Sequence, residues 1–325
     1  MITTPWTSQE DAILRERFAS CSSIEEVVPY LPGRTYNAIR TRANAYLGVK
    51  IKKLPVHDTH CFDVPDEINC SWAGYLAADG CVSDKGRLTL GIASKDRAHI
   101  EALVLYMGFT GRIWDYTKSY TDLKVKKYGK VSTYSGTCHI STLQIQCPAV
   151  CVQLARHWNI TPRKTRTLQP PNLTDDRLIM AYLSGFIDGD GWIIEDKSTK
   201  HPQYSIAVMG TKEMMEWTKA VFDRLTPYLI TAKLQPTESD NIYDYKVSGV
   251  KAFWLAKLFL TLDIPRLDRK WDKMRRLIAE VEAGTPSQRF LTTMVNGRPS
   301  DTILTQFGLL DYANALCTTV RPSVA

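Results

Sequence analysis

Apolar residues recur at helical spacing first in a short N-terminal stretch and then in two longer stretches that match each other. In the first, Thr7 and Glu10 have the spacing of a capping box, and Ile13, Leu14 and Phe18 follow at helical period. Ser22 and Ser23 precede a second short helix through Ile24, Val27 and Val28, broken by Pro29. The LPGR turn from Leu31 to Arg34 then leads to a third helix, Thr35 to Tyr46, ended by Gly48. This pattern predicts a small three-helix domain over residues 1–50. Residues 51–69 carry Pro55 and Pro65 and no long periodic run, which marks a linker.

The remainder is a repeat. SWAGYLAADGCV starts at Ser71 and YLSGFIDGDGWI starts at Tyr182. An alternating apolar segment ending in lysine follows each: RLTLGIASKD from Arg87 and YSIAVMGTKE from Tyr204. Helical patterns come next, Asp96 to Met107 and Glu213 to Leu225. Two further strand-like segments follow in each copy, Ile113 to Tyr120 and Ser132 to Ile145, then Leu229 to Gln235 and Asn241 to Val247. A last helix, Ala149 to Trp158 or Ala252 to Leu262, leads to the related turns NITPRKT and DIPRLDRK. The period of about 110 residues predicts an α+β fold, duplicated as two helix-strand-strand-helix-strand-strand-helix units over 70–165 and 175–284. The basic, proline-rich linker between them, 166–174, leaves room for a pseudo-twofold arrangement. Residues 285–325 form a tail in which Asp301 to Leu316 suggests one or two short helices.

Composition narrows the partners. The 325 residues hold 41 Lys and Arg against 34 Asp and Glu, a net charge of +7 that favours an anionic partner without naming it. Eight cysteines occur without a CxxC pair, and MITTPWTSQE has neither a basic nor an apolar leader region. These features read as a cytoplasmic or organellar protein with reduced thiols. No run of 18 apolar residues is present, so no membrane partner is expected. Zinc binding by His57, His60, Cys61 and Cys70, or by Cys138, His139, Cys147 and Cys151, fits ordinary zinc spacings poorly.

Both repeated helices carry small residues, among them Gly74 and Gly185, where a partner helix can approach. Glycine inside a helix costs about 1 kcal/mol relative to alanine, so a matched pair points to a compensating helix contact. Each helix ends in an acid followed by glycine, Asp79-Gly80 and Asp190-Gly191. Packed as a symmetric pair, the helices bring the two carboxylates together, where they repel unless a cation lies between them. Carboxylate and phosphate oxygens suit Mg²⁺. One dipeptide of this kind reads as a turn; two at equivalent repeat positions point to chemistry.

The pair WAGYLAADG, Trp72 to Gly80, and LSGFIDGDG, Leu183 to Gly191, resembles the two motifs of single-chain LAGLIDADG homing endonucleases. The likeness covers about residues 68 to 283. Copy one departs at Ala77, where the family has an aspartate. The resemblance implies a monomeric, Mg²⁺-dependent double-strand DNA endonuclease that leaves short 3′ overhangs, with Ca²⁺ or Mn²⁺ able to occupy the site. It implies metal binding at Asp79, Gly80, Asp190 and Gly191. Catalytic helpers are matched by Ser94, Lys95, Thr211, Lys212 and Lys251, with Cys147 in the place of Lys251 in copy one; each lysine is equally readable as a solvated cap. The alternative of another class is a cleavage-inactive DNA- or RNA-binding relative, a regulator or intron maturase.

In that family each curved sheet covers a major groove of a target of roughly 20 bp or longer. The matching stretch of copy one contains Tyr116, Lys118, Lys124, Lys126 and Lys127, and that of copy two Lys197, Lys233 and Lys246; Arg163, Lys164 and Arg166 lie between. Arg266, Arg269, Lys270, Lys273, Arg275 and Arg276 are either phosphate contacts or a solvated basic face. The N-terminal segment resembles Myb/SANT-like helix-turn-helix domains through Trp6, Glu10, Asp11, Leu14, LPGR, Ala38, Ile39 and Ala43, without their fuller tryptophan pattern. That likeness implies DNA contact by Arg34, Arg40, Arg42, Lys50, Lys52 and Lys53; a solvated face of a helical domain is the plainer reading.

Overall fold

The computed structural model describes residues 5–18, 21, 24–49, 56–127, 130–196, 203–229, 232–284 and 287–320, the side chains of 123–131, 203, 288, 319 and 320 excepted. Its contacts divide the chain into two units, Met1–His57 with Gly108–Gly111, and Asp58–Met107 with Arg112–Ala325.

In the first unit, α1 (Ser8–Phe18) begins where the Thr7 hydroxyl accepts the Glu10 N–H and the Glu10 carboxylate accepts the Thr7 N–H. Two 3₁₀ turns, Ile24–Glu26 and Val28–Tyr30, take the place of the second α-helix that the pattern predicts. Pro29 has no N–H to donate, which shortens any helix there. Thr35 caps α2 (Tyr36–Thr41), and the chain continues as one π-helical turn, Arg42–Tyr46. Leu14, Phe18, Val27, Leu31, Ile39 and Ala43 form the core, with Trp6 packed against it.

The second unit contains both repeats. Copy one runs α3 (Glu67–Ala78), β1 (Gly80–Val82), β2 (Arg87–Ala93), α4 (Arg97–Tyr106), β3 (Ile113–Lys127), β4 (Lys130–Gln146) and α5 (Pro148–Trp158). Copy two runs α6 (Asp176–Asp190), β5 (Gly191–Asp196), β6 (Gln203–Thr211), α7 (Lys212–Leu225), β7 (Gln235–Pro236), β8 (Ile242–Ser248) and α8 (Gly249–Leu260), followed by α9 (Asp268–Glu282). Each copy builds a four-stranded antiparallel sheet of the same topology, β1-β2-β4-β3 and β5-β6-β8-β7, so the fold is α+β. In the first sheet Leu88, Leu90, Ile92, Leu143 and Ile145 are buried while alternate residues face outward, which is the half-buried period of two. The tail folds as α10 (Gln288–Asn296), α11 (Asp301–Gln306) and α12 (Leu310–Val320), more helix than its sequence suggests. The indole N–H of Trp254 on α8 donates to the Met294 carbonyl of α10, which ties the tail to copy two.

The largest difference between the copies is the outer strand pair. β3 and β4 have 15 and 17 residues, while β7 has 2 and β8 has 7. The predicted strand from Leu229 to Gln235 is largely absent: of it only Gln235 is in a strand, and residues 230 and 231 lie outside the described ones.

Candidate active site at the base of the helix pair

Helices α3 and α6 are buried on nearly every side, Asn69 to Ala77 and Ile179 to Asp188, as expected of helices apolar all round. Asp66 and Asn69 close a reciprocal capping box at the start of α3, and Asp175 caps α6 through the N–H groups of Arg177 and Leu178. A Cβ on Gly74 would stand 1.8 Å from the Tyr182 carbonyl oxygen, and one on Gly185 would stand 1.8 Å from that of Ser71. Gly74 matches Gly185 in the repeat, and Ser71 matches Tyr182, so the contact is reciprocal in the manner of a twofold axis. The glycines therefore let the backbones touch.

This packing carries the two acids to one place. Asp79 caps the C-terminus of α3 and is exposed; Asp190 ends α6 and is half-buried. A Cβ on Gly189 would lie 2.3 Å from the Ala78 Cβ and 3.4 Å from the Asp79 carboxylate. Only one of the matched positions Ala78 and Gly189 has room for a methyl group. At Gly80 and Gly191 an added Cβ would meet the Leu76 or Ile187 carbonyl oxygen at 2.6 Å, so the turn from each helix into its first strand requires glycine.

Shielding by the helix ends raises the Asp79 carboxyl above its usual range, opposed by Lys270, Lys164 and a hydrogen bond with Tyr75. The Asp190 carboxyl is pushed up to about 6, first by burial and then by the charge of Asp79. Burial also lowers Lys164 and Lys270, which the two acids partly restore. These lysines do not form ion pairs with the acids. Lys164 donates to the Ala78 carbonyl at 3.2 Å, and Lys270 donates to those of Ile187, Asp188, Gly189 and Gly191 at 3.0, 2.5, 3.3 and 2.7 Å. Each thus satisfies carbonyls left open at a helix C-terminus, where a cation is also favoured by the helix dipole. Asp188, the acid that Ala77 replaces in copy one, is buried and accepts the Leu267 N–H at 3.0 Å and the Trp271 indole N–H at 2.8 Å.

The other expected helpers make contacts of their own. Lys251 is buried in an ion pair with Asp223 at 2.5 Å, and Lys212 is exposed beside Glu216 at 3.7 Å. Thr211 is buried; its hydroxyl donates to the Leu168 carbonyl and caps α7, and it borders a cleft of about 250 Å³ that also touches Lys164 and Asp190. Ser94 accepts from the Ser141 hydroxyl, and Lys95 is exposed on a separate cleft beside the Asp96–Arg269 ion pair. The cations that act on both acids are Lys164, read from sequence as a DNA contact, and Lys270, read as part of a basic face. The short insertion of Leu267 and Asp268 before Arg269-Lys270 hides the match between them in sequence.

None of the six cations of that basic run stands free. Besides Lys270, Arg266 donates to the Phe259, Leu262 and Ile264 carbonyls, Arg269 grips Asp96 through two bonds, and Lys273 donates to Ile193. Arg275 pairs with Asp268 and Asp272, and Arg276 with Glu195. Arg269, Arg275 and Arg276 are exposed while they pair, whereas Lys270, Arg266 and Lys273 are half-buried and spend their donors on backbone carbonyls.

Among the expected DNA contacts, Arg34 pairs with Glu10 over the Trp6 ring, and Arg42 pairs with Asp11, both within the N-terminal unit. Arg40 is exposed. Tyr116 and Lys118 are exposed on β3; Lys124, Lys126 and Lys127 continue that strand, with side chains outside the described ones. Arg163 and Arg166 are exposed beside Asp84 and Asp240, and Lys233 and Lys246 are exposed in copy two. Lys50, Lys52, Lys53 and Lys197 lie outside the described residues.

Among the described residues no group of three or more His, Cys, Asp or Glu is arranged to hold a metal. The two acids fit a divalent ion in a more open way: neither is ion-paired among the described residues, and their mutual repulsion is what a cation relieves. Such a two-carboxylate set suits Mg²⁺, which retains water and takes phosphate oxygens. The Gly191 carbonyl already accepts from Lys270.

No helix among the described residues is long and apolar enough to cross a membrane. No protein-family model and no curated protein matches the chain. Solved structures similar to it include the LAGLIDADG meganuclease I-AabMI bound to uncleaved DNA, at 12% identity, covering 72% of this chain and 96% of that one, TM-score 0.42. The LAGLIDADG homing endonuclease I-GzeII in complex with its DNA target gives 9% identity, 70% and 96% coverage and TM-score 0.43. The meganuclease I-SmaMI bound to uncleaveable DNA gives 12% identity, 79% and 97% coverage and TM-score 0.41.

Proposed function

We propose that the chain is a sequence-specific double-stranded DNA endonuclease of LAGLIDADG type, acting as a monomer with Mg²⁺. The observation that carries this reading is the convergence of Asp79 and Asp190 at the ends of two glycine-packed helices, each helix end capped by a lysine. The two acids would hold the ion against a scissile phosphate. Bound there, Mg²⁺ supplies Lewis acidity and neutralises charge developing on the phosphate. The protein's own groups prepare that place: Gly74 and Gly185 fix the distance between the helices, Lys164 and Lys270 fix their ends, and their charge favours the ionised acids. One phosphodiester in each strand is cut, leaving short 3′ overhangs.

Duplex DNA of roughly 20 bp or more is the partner. The outward face of the first sheet supports this reading, with Thr89, Thr142, Gln144, Trp114, Tyr116 and Lys118 placed along it by the strand register. Hydroxyl, amide and aromatic groups in rows are the chemistry that reads base edges in a major groove. Arg163 and Arg166, exposed and next in sequence to the lysine that caps α3, would contact phosphates in this reading. The test is to incubate the whole chain with a plasmid library carrying a randomised insert in Mg²⁺, with EDTA as control, and to sequence the ends. The expected result is a recurrent cut with a fixed stagger that EDTA abolishes. Tight binding to selected duplexes without any cutting would instead support the non-cleaving alternative, on DNA or on RNA.

A further inference from the structure

We infer that Tyr75 is a positioning residue that fixes the Asp79 carboxylate, that Asp190 has no phenol in the matching place, and that the two strands are therefore cut at unequal rates. This rests on the reading of the two acids as a pair that holds a divalent ion, and it adds that the pair is unequal.

Tyr75 lies one helical turn before Asp79 on α3, and the Asp79 N–H donates to the Tyr75 carbonyl at 2.9 Å. Their side chains therefore share one face of the helix. The phenol is buried, and its hydroxyl donates to the Asp79 carboxylate. Its ring is held on the far side. His99 of α4 meets it edge-on with centroids 4.6 Å apart, and the same imidazole packs on Trp72, one turn earlier on α3, at 4.8 Å. Asp96, immediately before α4, is gripped by Arg269 of α9 through two bonds of 2.7 and 2.6 Å. The helix that carries His99 is thus anchored from copy two. A hydroxyl on a ring that packing already immobilises loses little further freedom when it bonds, so it orients the carboxylate firmly.

Copy two departs at this place. Phe186 occupies the position matched to Tyr75, stacked on Tyr182 with centroids 6.3 Å apart, and carries no hydroxyl. Phe186 and Asp190 both border the open cleft of about 250 Å³, so a hydroxyl added at Phe186 has space. Removing an outer partner that orients a metal-ligating carboxylate costs roughly 10- to 100-fold in ion affinity or activity.

The experiment exchanges the two rings in the full chain: Tyr75→Phe, Phe186→Tyr and the double variant. Two quantities are measured, the Mn²⁺ affinity of the DNA-free chain by electron paramagnetic resonance and the single-turnover cutting of each separately labelled strand of the selected target. The unmodified chain should cut one strand faster. Tyr75→Phe is expected to weaken Mn²⁺ binding about tenfold and to slow that strand about tenfold, with the other changed by less than about twofold. The double variant should recover the Mn²⁺ affinity and make the other strand the faster one. A role in packing alone predicts no change, because Phe keeps the ring. Equal strand rates in the unmodified chain, unchanged Mn²⁺ affinity in Tyr75→Phe, or equal slowing of both strands would overturn the assignment. Mn²⁺ affinities as expected with no cutting would contradict the endonuclease reading and leave the positioning role standing. No Mn²⁺ binding by the unmodified chain would overturn both. Unchanged melting temperatures verify that the variants are folded.

Discussion

The two copies of the repeat share a topology and differ in where their polar groups are used. In copy two the helix end is held tightly: Asp188 takes two hydrogen bonds and Lys270 reaches four carbonyls. Copy one has Ala77 in place of Asp188, and Lys164 reaches a single carbonyl. Conversely, copy one carries a long basic strand pair and copy two only short outer strands. The copies thus share what the symmetric contact demands, the glycines and terminal acids, and differ in the groups around it.

The comparison breaks most visibly at the symmetric contact. Gly185→Leu and Gly74→Leu should each remove more than about 4 kcal/mol of stability, enough to prevent folding, because the side chain meets backbone that cannot yield. Unequal effects by urea denaturation would refute the reciprocity. Gly189→Ala tests the asymmetric neighbour: it should destabilise in the presence of Ala78 and be rescued by Ala78→Gly, a coupling read by a double-mutant cycle.

A second comparison concerns the clasp. Asp188→Ala leaves the buried Trp271 indole and Leu267 N–H groups without an acceptor and should cost about 3 kcal/mol in denaturant titration. Ala77→Asp, placed in copy one to restore the repeat, should destabilise as well, since it buries a carboxylate. A stabilised Ala77→Asp protein would mean that the copies are more alike than described. Lys270→Met should cost about 2 kcal/mol and Lys164→Met less, in proportion to the carbonyls each leaves open. Both should move the acid limb of any cutting activity to higher pH, because each removes a cation that favours ionised Asp79 and Asp190.

These contrasts also show what was legible in the sequence. The paired helices could be read from Gly74, Gly185 and the DG steps because a close contact and a sharp turn leave glycine few substitutes. The full length of β3 and β4 could not be read. Between Tyr120 and Ser132 only Leu123 and Val125 alternate with lysines, too short a run to announce a strand, so this stretch resembles a loop in sequence. Lys270 was hidden for a different reason: in a run dense with cations, capping a helix and facing solvent look alike until the acceptors are placed. Lys251 illustrates the reverse, a cation matched by position that the fold buries against Asp223.

The smallest predicted effect is on pH dependence. Burial raises the Asp190 carboxyl to about 6 in the folded chain from its ordinary 3.8, so between those values the folded state holds the extra proton. Its contribution to stability therefore falls as pH rises through that window. Without divalent ion, Asp190→Asn should stabilise the chain by about 1 kcal/mol at pH 7.5, a discounted figure because the site is partly open to solvent. The gain should vanish at pH 4, as seen by melting temperature.

The most direct test of the composite site is single-turnover cutting of the selected target in Mg²⁺ by Asp79→Asn and Asp190→Asn, with duplex binding followed in Ca²⁺. The expected result is a loss of at least about 1,000-fold in cutting for either variant, equivalent to about 4 kcal/mol, with binding retained. Cutting within tenfold of the unmodified chain by either variant would contradict the claim that these two acids form the active site.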